Sequence, residues 1–176
     1  EKNLVLKYIH SYGPVTLDEI AWWCDLTLMR IKKILELPEI NSEIGEIEIT
    51  GNTHYIENNE IDDFETHDID LEDQSYFLGE NDSILLSYPS DAIFVDPEFR
   101  RSVFKKFGGS HPSVMINGKV LGTWNFKETR SCLDISISLF RSVKQKQEDG
   151  LFRETDRISD FLCDKDKSTN VEITYI

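Results

Sequence analysis

The side chains of this chain best placed to do chemistry are cations in two short clusters. Arg30, Lys32 and Lys33 stand together, as do Arg100, Arg101, Lys105 and Lys106, with Lys119 beyond them and Lys127 and Arg130 able to extend the second group. Cations at such spacing suit contact with a phosphate backbone rather than bond-breaking. Catalytic arrangements are harder to find. His111 follows Gly108-Gly109-Ser110 and could serve as a base or a phosphate contact, but no serine, cysteine or carboxylate stands at a recognisable motif spacing from it, which favours a plain loop histidine. His10, His54 and His67 share no metal-ligand spacing, and Gly108-Gly109 lacks the Lys-Ser/Thr of a nucleotide loop. Asp68, Asp70, Glu72 and Asp73 imitate a calcium loop, but its sixth-position glycine and twelfth-position glutamate are missing. Cys24, Cys132 and Cys163 form no Cys-x-x-Cys pair and read as buried reduced thiols. No metal or cofactor is expected, and the chain alone is not expected to catalyse a reaction.

These residues must be held by a folded framework. A chain of 176 residues that is 39% hydrophobic and 11% aromatic can bury a core. No run approaches the roughly 20 apolar residues needed to span a bilayer, and the first residues lack a signal-peptide stretch, so a cytoplasmic protein is expected. Because the first residue is Glu rather than Met, a piece of a longer polypeptide is expected as well. The net charge of −14 opposes a polyanionic partner, but it is unevenly spread: −4 over residues 1–50, −11 over 51–82, +5 over 83–147 and −4 over 148–176.

The stretch from Glu57 to Asp82 has no lysine or arginine and reads as a solvated, self-repelling connector, which Phe64, Ile69, Leu71, Tyr76, Phe77 and Leu78 could pin in places. It sets the expected organisation: a first domain over 1–58, an acidic linker over 59–82 and a second domain over 83–176. Such a linker could also fold over the basic segment and compete with a polyanion for it. In the first domain Leu4, Val5, Tyr8 and Ile9 predict a helix ending at Gly13-Pro14. Thr16 and Glu19 form a capping box for a second helix, and Thr27 caps a third with Leu28, Ile31, Ile34 and Leu35 inward. Ile44, Ile47 and Ile49, then Gly51-Asn52, then Tyr55 and Ile56 predict a hairpin. Three helices and a hairpin make a winged helix, with Arg30, Lys32 and Lys33 off the apolar stripe of the recognition helix. The hairpin's Glu43, Glu46, Glu48 and Glu57 would repel phosphate, so a packing or protein-contact module stays open. Trp22 and Trp23 could stack on a base, though tandem aromatics at a helix end more often close a core.

The second domain is expected to be α+β, an antiparallel sheet with a covering helix. Ser83–Tyr88 reads as a strand, Ser113–Phe126 as a hairpin turning at Asn117-Gly118, and Cys132–Phe140 as a strand with one wet and one buried face. Asp96-Pro97-Glu98 opens a helical turn bearing the second basic cluster. Ser142–Cys163 reads as a helix interrupted near Gly150, and Val171, Ile173 and Tyr175 as a closing strand.

Several of these blocks carry a resemblance. Tyr12-Gly-Pro-Val-Thr-Leu-Asp-Glu-Ile-Ala-Trp-Trp-Cys24 with Leu26, then Ile84-Leu-Leu86, Phe99-Arg-Arg101 with Val103-Phe104, Pro112-Ser-Val114, and Asn117-Gly-Lys-Val-Leu-Gly-Thr-Trp124 resemble the winged-helix DNA-binding domain family that includes the bacterial crosslink-repair DNA glycosylases. The resemblance runs from about Leu4 to Leu162. It implies tandem winged helices followed by a β-rich region, with a catalytic Gln-x-Gln or Gln-x-Asp in a first unit upstream of Glu1. This chain then resembles a later winged helix plus the C-terminal region. Gln145-Lys146-Gln147 matches the motif by letter only. Pro89-Ser90 before Asp91 stands where the family carries Phe-Asp. The resemblance implies a part that holds double-stranded DNA through Arg30, Lys32 and Lys33 and a second contact at Arg100 to Lys106. A full-length protein with the glutamines would hydrolyse the N-glycosidic bond of an alkylated base. The alternative is a protein-interaction module that keeps the fold without nucleic-acid affinity.

Overall fold

The computed structural model describes residues 1–66, 74–89, 94–162 and 167–176. His67, Asp68, Ile69, Asp70, Leu71, Glu72, Asp73, Ser90, Asp91 and Cys163, named above, lie outside the described residues. The chain divides into two compact units: residues 1–69 with 87–89, and residues 70–86 with 90–176.

The first unit begins with α1 (Lys2–Tyr12), β1 (Val15–Thr16), α2 (Leu17–Cys24) and α3 (Leu28–Leu35). Before α2, the Thr16 hydroxyl accepts from the Glu19 amide at 3.3 Å, and the Glu19 carboxylate accepts from the Thr16 amide at 2.7 Å, so the capping box closes both ways. Thr27 caps α3 by accepting from the Arg30 amide. A short α4 (Pro38–Asn41), absent from the sequence reading, leads into β2 (Ile44–Ile49) and β3 (Asn52–Glu57). Their turn is Thr50-Gly51, with φ of 50° and 81°, where positive φ at both central residues matches the twist of a two-residue hairpin. β1 pairs with β3 and completes a three-stranded sheet.

The core of this unit is Val5, Tyr8, Ile9, Ile20, Ile31, Ile34, Leu35 and Ile44 with their neighbours. Trp23 stacks on Tyr8 at 4.8 Å between centroids and serves the core, whereas Trp22 is half exposed. The Tyr8 hydroxyl donates to the Ser87 carbonyl at 2.7 Å and that of Tyr88 to the Tyr12 carbonyl at 2.6 Å. Burial, reinforced by the charge of Glu19, raises the Tyr8 hydroxyl above its ordinary value and pushes Tyr88 up to about 12. The folded state therefore favours both neutral phenols. Their contribution is fully present below the unfolded tyrosine value of about 10 and is lost as pH climbs from there toward the folded values. The melting temperature of the first unit is expected to fall between about pH 9 and about pH 11. A variant carrying Tyr8→Phe and Tyr88→Phe should start less stable and fall less over that range.

The acidic stretch holds more structure than a solvated connector. A 3-10 turn over Asn58–Glu60 precedes α5 (Ile61–Thr66), and β4 (Ser75–Leu78) is an edge strand paired antiparallel with β5 (Ser113–Ile116). Phe77 is buried there, enough apolar anchoring to offset the surrounding charge. Ser83–Leu86 is a short helix, α6, rather than the expected strand. Its Leu85 packs with Val95, Val103, Met115, Val120 and Phe140, a contact that a helical turn makes without a strand partner.

After α6, a 3-10 turn over Pro97–Phe99 leads into α7 (Arg100–Val103), then β5, β6 (Lys119–Glu128), β7 (Cys132–Leu139), α8 (Gln145–Leu162) and β8 (Ser168–Tyr175). The five-stranded sheet runs β4-β5-β6-β7-β8. The expected all-antiparallel sheet is corrected at one edge: β8 pairs parallel with β7, because α8 returns the chain to the same end before it re-enters the sheet. The helix is also continuous through Gly150, which is buried beside Leu151 and Glu154 on the face packed toward β4, so the glycine sits in a packed contact rather than a break. All four residues of β5 are buried, since Val114 and Ile116 join a cluster with Leu133, Ile135, Ile137 and Leu151 while Met115 joins the cluster around Leu85 and Val103.

The Asn117-to-Trp124 block is explained by this packing. Asn117 and Gly118 adopt φ of 50° and 74° in the β5–β6 turn. A Cβ on Gly122 would meet the Ser138 carbonyl at 2.5 Å, so a side chain there would push β6 off β7. The Trp124 indole donates to the Leu78 carbonyl at 2.8 Å.

Candidate nucleic-acid interface

The α3 cations sit where the apolar stripe places them. Ile31, Ile34 and Leu35 are buried, which turns Met29, Arg30, Lys32, Lys33 and Glu36 outward. Lys32 and Lys33 lie in the last turn, where the helix dipole favours positive charge. Arg30 donates to the Glu1 carboxylate from Nε at 2.7 Å and from Nη2 at 2.5 Å, with both side chains about half exposed. An ion pair so open to water is worth about 1 kcal/mol or less, so a phosphate can displace it. Leu28 and Met29 add exposed apolar surface at the start of the same helix.

Against this helix stands an acidic neighbour. Lys32 lines a groove of about 250 Å³ together with Glu36, Asn41, Glu46 and Tyr55. Burial and the Glu46 charge raise the Tyr55 hydroxyl above its ordinary value. On the hairpin, Glu48 accepts from the Thr53 hydroxyl at 2.7 Å, and Glu57 lies 2.7 Å from His10. The hairpin tip itself, Thr50 to Thr53, is neutral and exposed.

In the second unit, Arg100 is half-buried, and its Nε is shielded from solvent without a hydrogen-bond partner. Arg101 and Lys106 are exposed. Lys105 is held by Glu80, a member of the acidic stretch, and this contact keeps the Glu80 carboxyl below its usual range. Lys105 and Glu80 share a groove of about 540 Å³ with Ser102, His111 and Asn125. His111 is exposed there, its amide donating to the Val103 carbonyl at 2.8 Å.

Lys119 does not join this group. It lines a different groove with Asn117, Arg141, Lys144 and Gln147. Arg141, missed in the sequence, pairs with Asp96 at 2.5 Å and Glu98 at 3.2 Å and lies over the Phe99 ring. Only the folding of distant segments brings Arg141 and Lys144 beside Lys119, so no spacing signals it. Gln145 and Gln147 serve the start of α8: Gln147 accepts from the Lys144 amide at 2.9 Å, and Gln145 donates to Asp149 at 3.2 Å. Among the described residues no helix is long and apolar enough to cross a membrane.

A solved structure, the Streptomyces sahachiroi DNA glycosylase AlkZ, superposes with a TM-score of 0.77 at 17% identity, over 94% of this chain and 43% of that one. The chain thus spans less than half the length of that protein, and the likeness is one of fold. No curated protein matches. The family model described as DNA glycosylase AlkZ-like matches residues 1–161, and on that match the chain belongs to the AlkZ-like DNA glycosylase family.

Proposed function

We propose that this chain is a DNA-holding part of an AlkZ-like DNA glycosylase, in which residues 1–58 form a winged helix with α3 as the recognition helix. The observation that carries the reading is the outward face of α3, where Arg30, Lys32 and Lys33 oppose a fully apolar inner stripe in a family of DNA glycosylases. Arg30 and Lys32 flank the apolar stripe on opposite sides, Arg30 toward Glu1 and Lys32 toward the hairpin groove, with Lys33 between them on the outer side. Cations spread in this way meet phosphates and release their counterions, which supplies affinity without sequence preference. Arg100, Arg101, Lys105 and Lys106 make a second contact in the second unit, whose sheet takes in β4 from the acidic stretch. Lys119 extends the basic surface at a separate groove.

In the whole protein the reaction is hydrolysis of the N-glycosidic bond of an altered base. That chemistry requires the nucleotide to be turned out of the stack, at a cost of a few kcal/mol that must be met by contacts elsewhere on the duplex. This chain supplies such contacts and leaves bond cleavage to residues outside it.

The test is a titration of isotope-labelled chain with a short duplex, followed by amide NMR shifts. Shifts concentrated on residues 27–36 and 99–111 are expected. Shifts confined to the acidic β2 and β3, or none at low salt, would overturn the assignment and favour a protein-contact role.

A further inference from the structure

The basic segment of the second unit carries an aromatic side chain that the fold does not use. Phe107 is 94% exposed, the largest exposure of any large apolar side chain among the described residues. It lies at the tip of a turn that is firmly closed beneath it. Phe104 and Ser110 form an antiparallel bridge, and the Lys105 amide donates to the Gly109 carbonyl at 3.0 Å. The Gly108 amide donates to the Lys105 carbonyl at 3.2 Å. Asn81 clamps the base of the turn, its side chain accepting from the Ser110 amide at 3.0 Å. Gly108 and Gly109 both have positive φ, and a Cβ on Gly109 would strike the Asn81 side chain at 2.4 Å, so the turn is built for glycine at this place. A phenyl ring held in water on a closed turn gains little from folding and leaves apolar surface open to a ligand.

The surroundings say what it contacts. From Phe99 to His111 the chain has no acidic residue. Lys106 is exposed, its ammonium 5.4 Å from the Phe107 ring centroid, and Arg101 is exposed on α7 just before the turn. Glu80 is occupied by Lys105. An apolar ring fringed by cations complements stacked bases flanked by phosphates.

We infer that Phe107 is a wedge that inserts between adjacent base pairs of duplex DNA, with Arg101 and Lys106 on the flanking phosphates. The inference rests on the DNA-holding reading and adds to it a deformation of the duplex. Insertion unstacks one step and kinks the helix, which is easiest at pyrimidine–purine steps. A kinked duplex is a better substrate for turning a nucleotide out.

The experiment uses the full chain and a duplex with 2-aminopurine at a central TA step, reading anisotropy for grip and 2-aminopurine emission for unstacking. Wild type is expected to bind and raise the emission. Phe107→Ala should lose the rise and weaken binding about tenfold, the scale of one base–aromatic stack, while the salt slope stays unchanged. Phe107→Trp should keep the rise. Because the side chain is exposed, both variants should melt as wild type does. Binding by wild type with no emission change, or an equal rise in Phe107→Ala, would overturn the wedge and leave the DNA-holding reading standing. No binding by wild type at low salt would overturn both, and binding to anionic lipid vesicles in its place would move the ring to a membrane surface.

Discussion

Replacing Arg30, Lys32 and Lys33 together by alanine is expected to lower affinity for duplex DNA about a hundredfold near 0.1 M salt, and to flatten the dependence of log K on log salt by about two to three. Each phosphate contact adds roughly 0.9 to that slope. Arg30 gives the least, because it must first leave Glu1. The loss is one of binding and not of folding. All three side chains are exposed, and alanine is at least as good a helix former, so the melting temperature should hold within the scatter of surface substitutions, about 0.5 kcal/mol. An anisotropy titration beside a thermal melt separates the two.

Trp124→Ala should have the largest effect on stability, about 3–5 kcal/mol. Its ring is buried, stacks with Phe77 at 5.0 Å and Phe126 at 5.9 Å, and its indole holds the Leu78 carbonyl of β4. The substitution empties the core beside the edge strand and leaves that carbonyl without its donor. Against a typical total of 5–15 kcal/mol, such a loss leaves the second unit marginal. Trp124→Phe keeps most of the volume and loses only the donor, so it should cost about 1–2 kcal/mol. Urea unfolding followed by circular dichroism would rank the two, and equal stability of Trp124→Ala and wild type would refute the anchoring of β4 through this indole.

What could be read in the sequence was local. Thr16 with Glu19, Thr27, the Asn117-Gly118 turn and the alternation through Leu133, Ile135 and Ile137 each act within a few residues, and each is present in the fold. What could not be read depends on partners far along the chain. Ser83–Leu86 is a four-residue apolar segment, too short for its period to separate strand from helix. β4 was hidden because Phe77 is its one deeply buried residue in a run of acids. The parallel pairing of β8 follows from where α8 delivers the chain, and alternation at Val171 and Ile173 is silent on direction. At the candidate interface, the outward placement of Arg30, Lys32 and Lys33 followed from the helical period. The capture of Lys105 by Glu80 and the exposure of Phe107 are properties of the folded surface alone.

The claim that this chain holds DNA electrostatically through α3 is met most directly by one measurement, the anisotropy of a labelled duplex titrated with the wild-type chain across a salt series from about 50 mM to about 200 mM. The account predicts saturable binding that weakens steeply with salt, with a log–log slope of about −3 or steeper. Absence of binding near 50 mM, or binding indifferent to salt, would contradict it and mean that the net charge of −14 governs the surface.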